Sequence, residues 1–146
     1  MTDFNFTHPI EVRYGDLDPQ GHLNNAKYLT YMEQARIFFF QDLGLRKPGI
    51  SFMDIGVILA DVHITFKEPV LFGMDIVVGV RTTRLGNKSF DVAQALIDRG
   101  RDKVMATAEL VVVCFDYHTS QTTAIPPLWR ETLAKFDKLP TGEKNP

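Results

Sequence analysis

The sequence predicts an α+β fold in which one antiparallel sheet of about five strands curls round one long central helix. Apolar residues three or four positions apart begin near Asn25 and indicate the helix, because that spacing places them on one helical face. Four later segments, at 57–66, 76–84, 89–97 and 104–116, have strand-like composition and follow one another with short connections. One helix followed by consecutive strands is typical of this class.

The composition is that of one compact domain spanning residues 1–146, with a frayed tail over 140–146. Its 45% hydrophobic residues can build a core, and its net charge of −2 argues against a nucleic-acid partner. The single cysteine, Cys114, is typical of a reducing compartment and of a small core residue. Neither a secretory signal nor a membrane-spanning run is present, so the sequence predicts a cytoplasmic protein.

The first predicted elements are a strand, a polar loop and the long helix. Residues 10–14 alternate apolar and polar side chains, which predicts a strand, and the turn-forming residues 15–21 follow. The helix is expected to run from Asn25 to a C-terminal cap at Gly44. Residues 37–40 are apolar on nearly every face, so we expect other elements to wrap this half of the helix.

The last long strand predicts how the sheet meets the helix. Alternation places small and aliphatic residues on one face, namely Val104, Ala106, Ala108, Leu110 and Val112, and these leave room for a packed helix. Pro126 and Pro127 then open a short amphipathic helix that carries Trp129, Leu133 and Phe136. Because a single sheet exposes its edges, we expect a homodimer joined through edge strands, or a homotetramer made of two dimers.

The densest polar cluster lies in the loop before the helix. Asp16 and Asp18 supply carboxylates, and the glycines at 15 and 21 let the backbone approach a ligand closely. The helix start near Asn25 supplies unpaired N–H groups that can hold a developing oxyanion. Acyl transfer requires this combination of groups.

This loop and the helix after it resemble the hot-dog thioesterases of the 4-hydroxybenzoyl-CoA thioesterase family. The matching runs are DLDPQGH at 16–22, NNAKY at 24–28 and EQAR at 33–36. The resemblance extends through the element order of residues 8–116, and it implies the hot-dog fold and hydrolysis of an acyl-CoA thioester to free acid and CoA. No cofactor is implied, since CoA is part of the substrate. The run HLNN at 22–25 departs from the aromatic-rich run of the namesake branch, so an aromatic acyl group is not implied.

The resemblance also assigns roles in the loop. It implies that Asp18 is the catalytic carboxylate, either as a nucleophile that forms a mixed anhydride or as a general base that activates water. The backbone amide at Asn25 or an immediate neighbour polarises the thioester carbonyl, and Asp16 is structural. His22 either binds substrate or water or packs against the helix start.

Three more residues, at the start of the helix and within it, have two interpretations each. Asn24 is expected to cap the helix and to border the substrate. Tyr28 is expected in the core or in the substrate pocket. For Glu33, a structural ion pair with Arg36 is the first expectation and contact with the active-site water the second.

For the coenzyme, the resemblance implies scattered cations rather than a glycine-rich phosphate loop. Lys88 and Ser89 match the family's cationic turn, Arg84 precedes it, and Lys67 ends another strand. On hairpin tips such residues are also commonly plain solvated surface. Because the family binds its substrate across two subunits, residues 57–66 of a partner are expected to line the pocket.

Other chemistries fit the sequence less well. His8, His63 and His118 have no zinc-site spacing, the aspartate loop lacks the glutamate of a calcium loop, and no Gly-x-Ser-x-Gly elbow is present. We therefore expect no metal. The alternatives that stay open are an acyl-CoA-binding domain without catalysis, a hydratase on the same fold, and a thioesterase for acyl-carrier-protein thioesters.

Overall fold

The computed structural model describes residues 3–141, in which six strands and two α-helices form. The elements are β1 (Thr7–Ile10), α1 (Asn25–Asp42), β2 (Val57–Phe66), β3 (Ile76–Leu85), β4 (Ser89–Asp98), β5 (Lys103–Asp116), β6 (Gln121–Thr122) and α2 (Pro127–Asp137). Single 3-10 turns lie at Tyr14–Asp16 and Phe52–Asp54. The long helix, the four later strands and the short terminal helix are confirmed, while β6 was not predicted.

All strand pairs are antiparallel, in the order β1-β3-β4-β5-β2, and β6 pairs with the end of β5. One face of the sheet and α1 share the main core, which includes Met32 and Phe39 of the helix and Phe90 and Leu110 of the sheet. Ala106 and Ala108 are buried on this face, as the alternation predicted. Met105 is buried as well, because a register shift near Leu96 interrupts the alternation.

The predicted first strand at 10–14 is wrong in its position. Hydrogen-bonded pairing covers Thr7–Ile10 and ends where Ile10 meets Ile76, the first residue of β3. Val12 is nonetheless buried between exposed Glu11 and Arg13, so the burial alternates as expected without a neighbouring strand.

The helix is less enclosed than expected. Phe39 and Phe40 are buried, but Phe38 is 38% exposed and stacks on the His8 ring with 4.2 Å between centroids. Within one chain, therefore, one side of α1 stays open to solvent or to another molecule.

One long edge of the sheet is unpaired. β2 pairs with β5 on one side only, and a register shift between Leu59 and Asp61 marks a bulge at Ala60. Ile58, Leu59 and Phe66 of this strand are 41%, 39% and 44% exposed. An exposed apolar edge of this length favours pairing with another strand.

A second, smaller cluster covers the other face of the sheet. Phe4 lies over Gly79 so closely that a Cβ atom there would come within 2.5 Å of the Phe4 ring. Val77, Ala95 and Ile97 are buried beneath it. Of the predicted frayed tail, residues 142–146 lie outside the described residues. No helix within residues 3–141 combines the length and hydrophobicity needed to cross a bilayer.

Candidate active site

Asp18 sits in a tight turn before α1 with one carboxylate oxygen engaged. Its Oδ1 accepts hydrogen bonds from the backbone amides of Gln20 at 2.9 Å and His22 at 3.2 Å. The backbone amide of Asp18 also donates to the His22 carbonyl at 2.8 Å. No donor within residues 3–141 reaches Oδ2. The turn therefore fixes the orientation of the carboxylate and leaves one oxygen available.

Asp16, two residues earlier, has a full set of protein partners. Its Oδ2 accepts from the Tyr31 hydroxyl at 2.6 Å, and Lys27 lies 3.8 Å from Oδ1. The hydrogen bond from Tyr31 holds the pKa of the Asp16 carboxyl below its ordinary value, against a smaller opposing effect of burial. These contacts tie the loop to α1, which is the structural role expected for Asp16.

The helix start provides an unpaired donor next to Asp18. Asn24 has extended backbone angles and its side chain accepts from the Ala26 amide at 3.0 Å, so it caps α1 as predicted. The Lys27 amide donates to the Asn24 carbonyl at 2.8 Å. The Asn25 amide has no acceptor within the described residues, and the helix dipole makes this position favourable for negative charge.

Asp18 and Asn25 line the same pocket, which has a volume of about 390 Å³. The other lining residues are Gln20, His22, Leu23, Tyr28, Phe66, Lys67, Glu68 and Pro69. The structure thus brings Asp18, His22, Asn25 and Tyr28 together, while Asn24 contributes through its cap. The residues of this pocket include a carboxylate, an unpaired backbone amide and apolar side chains.

Tyr28 belongs to the core and also lines the pocket. Its hydroxyl accepts from the Val70 amide at 3.3 Å, and its ring meets Phe66 edge-on at 4.9 Å. Burial raises the pKa of the Tyr28 phenol, and the negative charge of Asp18 raises it further. The phenol therefore keeps its proton at neutral pH.

His22 is half-buried and lines the pocket, while its backbone pairs with both Asp18 and the Leu71 segment. The next amide, of Leu23, donates to the Val70 carbonyl at 2.8 Å. The loop is therefore fixed to the segment after β2, and the predicted roles of His22 in packing and in ligand contact are both compatible with its position.

Glu33 lies elsewhere. It borders a second groove of about 520 Å³ between α1 and the start of β2, together with Arg36, Ile37, Phe40, Ile58 and Leu59. No salt bridge within the described residues joins Glu33 to Arg36, so the predicted ion pair does not form at contact distance, although the negative charge of Glu33 raises the pKa of Arg36 against a larger lowering by burial. The 7% exposed Arg36 instead donates to Gln94 at 2.9 Å, and Gln94 donates to the Met32 carbonyl.

The predicted coenzyme residues are also remote from Asp18 in the same chain. Ser89 pairs with Val113 and Phe66 pairs with Ala106, so seven residues of β5 separate the two positions. At about 3.3 Å per residue this is roughly 23 Å. Arg84 is exposed and lies 3.9 Å from Asp91, and Lys88 is exposed on the turn.

Phe66 and Gln20 are pocket residues that sequence reasoning missed, and Lys67 was considered only as a cation. The position of Phe66 depends on the sheet order, which brings the end of β2 to the start of α1. The local sequence, an aromatic residue at the end of a strand followed by a lysine, does not predict that Phe66 lies beside the start of α1.

Comparisons with known proteins identify the family of the chain. A family model described as the thioesterase-like superfamily matches residues 12–135. The long-chain acyl-CoA thioesterase FadM of Escherichia coli (strain K12) is 26% identical over 132 residues, covering 88% of this chain and 97% of FadM.

Solved structures of thioesterases are also similar to this chain. A thioesterase from Thermus thermophilus, crystallised with coenzyme A and Zn, has a TM-score of 0.83 at 29% identity, covering 96% of this chain and all of that one. A predicted thioesterase from Bacillus stearothermophilus has a TM-score of 0.81 at 25% identity, covering 92% of this chain and 98% of that one. The aligned portions include most of the described residues.

Proposed function

Since the chain belongs to the thioesterase-like superfamily, we propose that it hydrolyses an acyl-CoA thioester to a free acid and CoA, with Asp18 acting on the thioester. One observation carries the proposal. Asp18, which has one carboxylate oxygen free of protein donors, and Asn25, whose backbone amide is unpaired within the described residues, line one pocket, and the proposal has a thioester carbonyl meet both groups there. The names of FadM and of the Thermus protein support this activity.

The Asn25 amide stabilises the transition state in this proposal. Attack on the thioester carbon moves charge onto its oxygen, and a fixed donor at a helix start stabilises that charge. Such a donor typically contributes about a hundred- to a thousandfold in rate. Asp18 is held by two amides, so its reacting oxygen is oriented before substrate arrives.

Two chemical routes use this geometry. In the first, Oδ2 of Asp18 attacks the thioester carbon, the C–S bond breaks, CoA leaves as a thiolate, and water hydrolyses the mixed anhydride. In the second, Asp18 takes a proton from a water that attacks the same carbon, and the C–S bond then breaks so that CoA leaves as a thiolate. Single turnover in H₂¹⁸O distinguishes the two routes if water attacks the anhydride at the Asp18 carboxyl carbon. The label then enters Asp18 in the first route, whereas it enters the free acid in the second.

The complete site is proposed to need two subunits. If two β2 strands pair antiparallel about a two-fold axis, Phe66 of one chain comes beside the Val57 end of the other. The Asp18 pocket then adjoins the partner's groove near Glu33, whose walls include Ile37, Phe40 and Leu59. The apolar part of this groove suits the acyl group, and an aliphatic chain accords with the long-chain name of FadM.

The nucleotide end of CoA is proposed to contact Arg84, Lys88 and Ser89. These residues lie too far from Asp18 in the same chain for the reacting thioester, but the extended pantetheine arm of CoA can separate the two contacts. In this arrangement the coenzyme cations come from one subunit and the reacting carboxylate from the other, as the family resemblance implies.

Thiol release from short, long and aromatic acyl-CoAs tests the proposal. We expect the wild type to turn over at least one acyl-CoA, and Asp18→Asn to lose at least about a hundredfold in kcat. Asp42→Asn is the matched control, since Asp42 lies at the far end of α1 from the pocket. Melting curves verify that each variant is folded.

The outcomes separate the alternatives. Binding of acyl-CoA without turnover by the wild type would favour a non-catalytic binding domain. Turnover of acyl-carrier-protein thioesters far above that of the CoA esters would shift the substrate assignment. Full activity of a folded Asp18→Asn protein would exclude the Asp18 mechanism.

A further inference from the structure

The turn between β3 and β4 is held from behind by the C-terminal part of the chain. Its three successive carbonyl groups all accept hydrogen bonds from outside the turn. The Gly86 carbonyl accepts from Arg130 Nη2 at 2.5 Å, the Asn87 carbonyl from the Ile125 amide at 3.0 Å, and the Lys88 carbonyl from the Cys114 amide at 2.8 Å. The carbonyl dipoles therefore point into the protein.

Arg130 is an unusual partner for this turn. It is 8% exposed, and within the described residues it pairs with no carboxylate. Its donors meet carbonyl groups only: those of Gly86 and Asn87 in the turn and of Thr141, at 2.6 Å, beyond α2. A buried guanidinium is expensive to desolvate, and here its hydrogen-bonding capacity is directed at the backbone of the turn.

The opposite side of the turn presents donors. The amides of Asn87 and Lys88 donate to no acceptor within residues 3–141, and Lys88 is exposed. Unpaired backbone amides in a turn, together with a lysine, are favourable for binding an anion. Because the carbonyl oxygens point inward, the negative ends of their dipoles do not face an anion bound at the turn.

We infer that Arg130 is a positioning residue for binding of the nucleotide phosphates of the substrate by the turn 86–89. This inference rests on the proposed function and deepens it, because it assigns α2 the task of orienting the coenzyme-binding turn. Arg130 acts through the backbone and is not expected to touch the substrate. The turn is tight at its first residue, since a Cβ atom at Gly86 would lie 2.9 Å from the Ser89 carbonyl oxygen.

The test compares two substrates that share an acyl group, the best acyl-CoA of the panel and the corresponding acyl-pantetheine, which lacks phosphate. For Arg130→Gln we expect a KM for acyl-CoA about tenfold higher, the equivalent of one charge-assisted hydrogen bond, with kcat unchanged. The KM for acyl-pantetheine should stay at the wild-type value. Arg99→Gln is the matched control, since Arg99 makes a surface ion pair with Asp75 and should leave both KM values unchanged.

A double-mutant cycle distinguishes positioning from direct contact. If Arg130 acts through the turn, the two substitutions should be non-additive, so Lys88→Ala combined with Arg130→Gln should raise the KM for acyl-CoA by less than the product of the two separate increases. Additive effects, or equal KM increases for both substrates, would overturn the inference.

Two further results keep the inference open to refutation. If Arg130→Gln does not fold, Gly86→Ala serves in its place, because it displaces the turn and leaves α2 unchanged. An unchanged KM for acyl-CoA in Gly86→Ala would show that the position of the turn is not important for binding. Absence of wild-type turnover refutes the proposed function itself, whereas an active wild type with no selective KM change in Arg130→Gln refutes only this inference.

Discussion

The Tyr31 hydroxyl donates a 2.6 Å hydrogen bond to Oδ2 of Asp16, and through this contact α1 holds the loop that carries Asp18. The aspartate two positions before Asp18 thus serves to fix it in place. The two aspartates differ in their main partners, because Asp16 is bonded to side chains of α1 and Asp18 to backbone amides of its own turn.

Replacement of Tyr31 by Phe should lower the free energy of unfolding by about 1–2 kcal/mol at neutral pH, since Asp16 loses a charge-assisted hydrogen bond. The pKa of Asp16 is lowered in the folded state. Its stabilisation is therefore present above the ordinary carboxyl value of 3.8 and is lost as the pH falls through the folded-state pKa. The difference between wild type and variant should shrink in acid, as measured by denaturant unfolding at several pH values.

Tyr117→Phe is the control for this experiment. The Tyr117 hydroxyl donates to the Val57 carbonyl at 2.8 Å, a group that does not titrate. The decrease in the free energy of unfolding caused by Tyr117→Phe should therefore be the same at neutral and at acid pH. A constant cost for Tyr31→Phe as well would contradict the role assigned to Asp16.

Asn25→Pro should remove the proposed oxyanion donor with little damage to the helix. Proline is favourable at the first helical position, and Asn24 already has the extended angles of −60° and 134° that a residue before proline adopts. We expect kcat to fall by about a hundred- to a thousandfold with KM little changed. Asn25→Ala retains the amide and should keep most of the activity, so equal losses in both variants would argue for the side chain instead.

Ile58→Asp should disrupt the proposed pairing of β2 strands, since it places a charge on the exposed edge. We expect the dimer to dissociate in sedimentation experiments and thioesterase activity to fall with it. Leu128→Asp is the control, because Leu128 is 61% exposed on α2 and lies outside this edge. A monomeric wild type with full activity would contradict the shared site.

Mixed dimers of Asp18→Asn and Lys88→Glu chains test the sharing of the site directly. In a heterodimer, one of the two sites combines an intact Asp18 from one chain with an intact Lys88 from the other. Activity of the mixture should therefore exceed the sum of the two separate variants at acyl-CoA concentrations below the KM of the Lys88→Glu protein. Strictly additive activity would place both residues in one subunit's site.

The surface pair of His118 and Asp54 predicts that the stability of the protein decreases from acidic to alkaline pH. The ring and the carboxylate meet at 2.8 Å, and the hydrogen bond with Asp54 raises the pKa of His118 above 6.5. This stabilisation is complete below 6.5 and disappears as the pH rises through the folded-state pKa. His118→Gln should therefore reduce the fall in melting temperature between acidic and alkaline buffer.

Local patterns predicted burial better than pairing. The alternation at residues 10–14 correctly indicated that Ile10 and Val12 face the core, yet the ladder lies at Thr7–Ile10. Side-chain alternation reports which face is buried, but a strand also requires a neighbouring backbone. β3 begins at Ile76, opposite Ile10, and offers none beyond that point.

Partners distant in sequence were the other source of error. Spacing on a helix favoured a pair between Glu33 and Arg36, but Arg36 bonds to Gln94, which lies 58 positions away in the chain. The Asp18 loop could be predicted because its residues are contiguous in the sequence. Cys114 is buried as expected, and burial raises the pKa of its thiol to about 11. The second groove depends on how α1 crosses the sheet, which no short segment encodes.

The bulge at Ala60 has a consequence for solubility. A long, regular, apolar edge can recruit chain after chain into fibrils. The irregular ladder at Ala60 and the charge of Asp61 limit such recruitment, since an incoming strand must match the interruption to pair along the full length. Once two β2 strands have paired, the outermost strands are the four-residue β1 segments, which are too short to nucleate further growth.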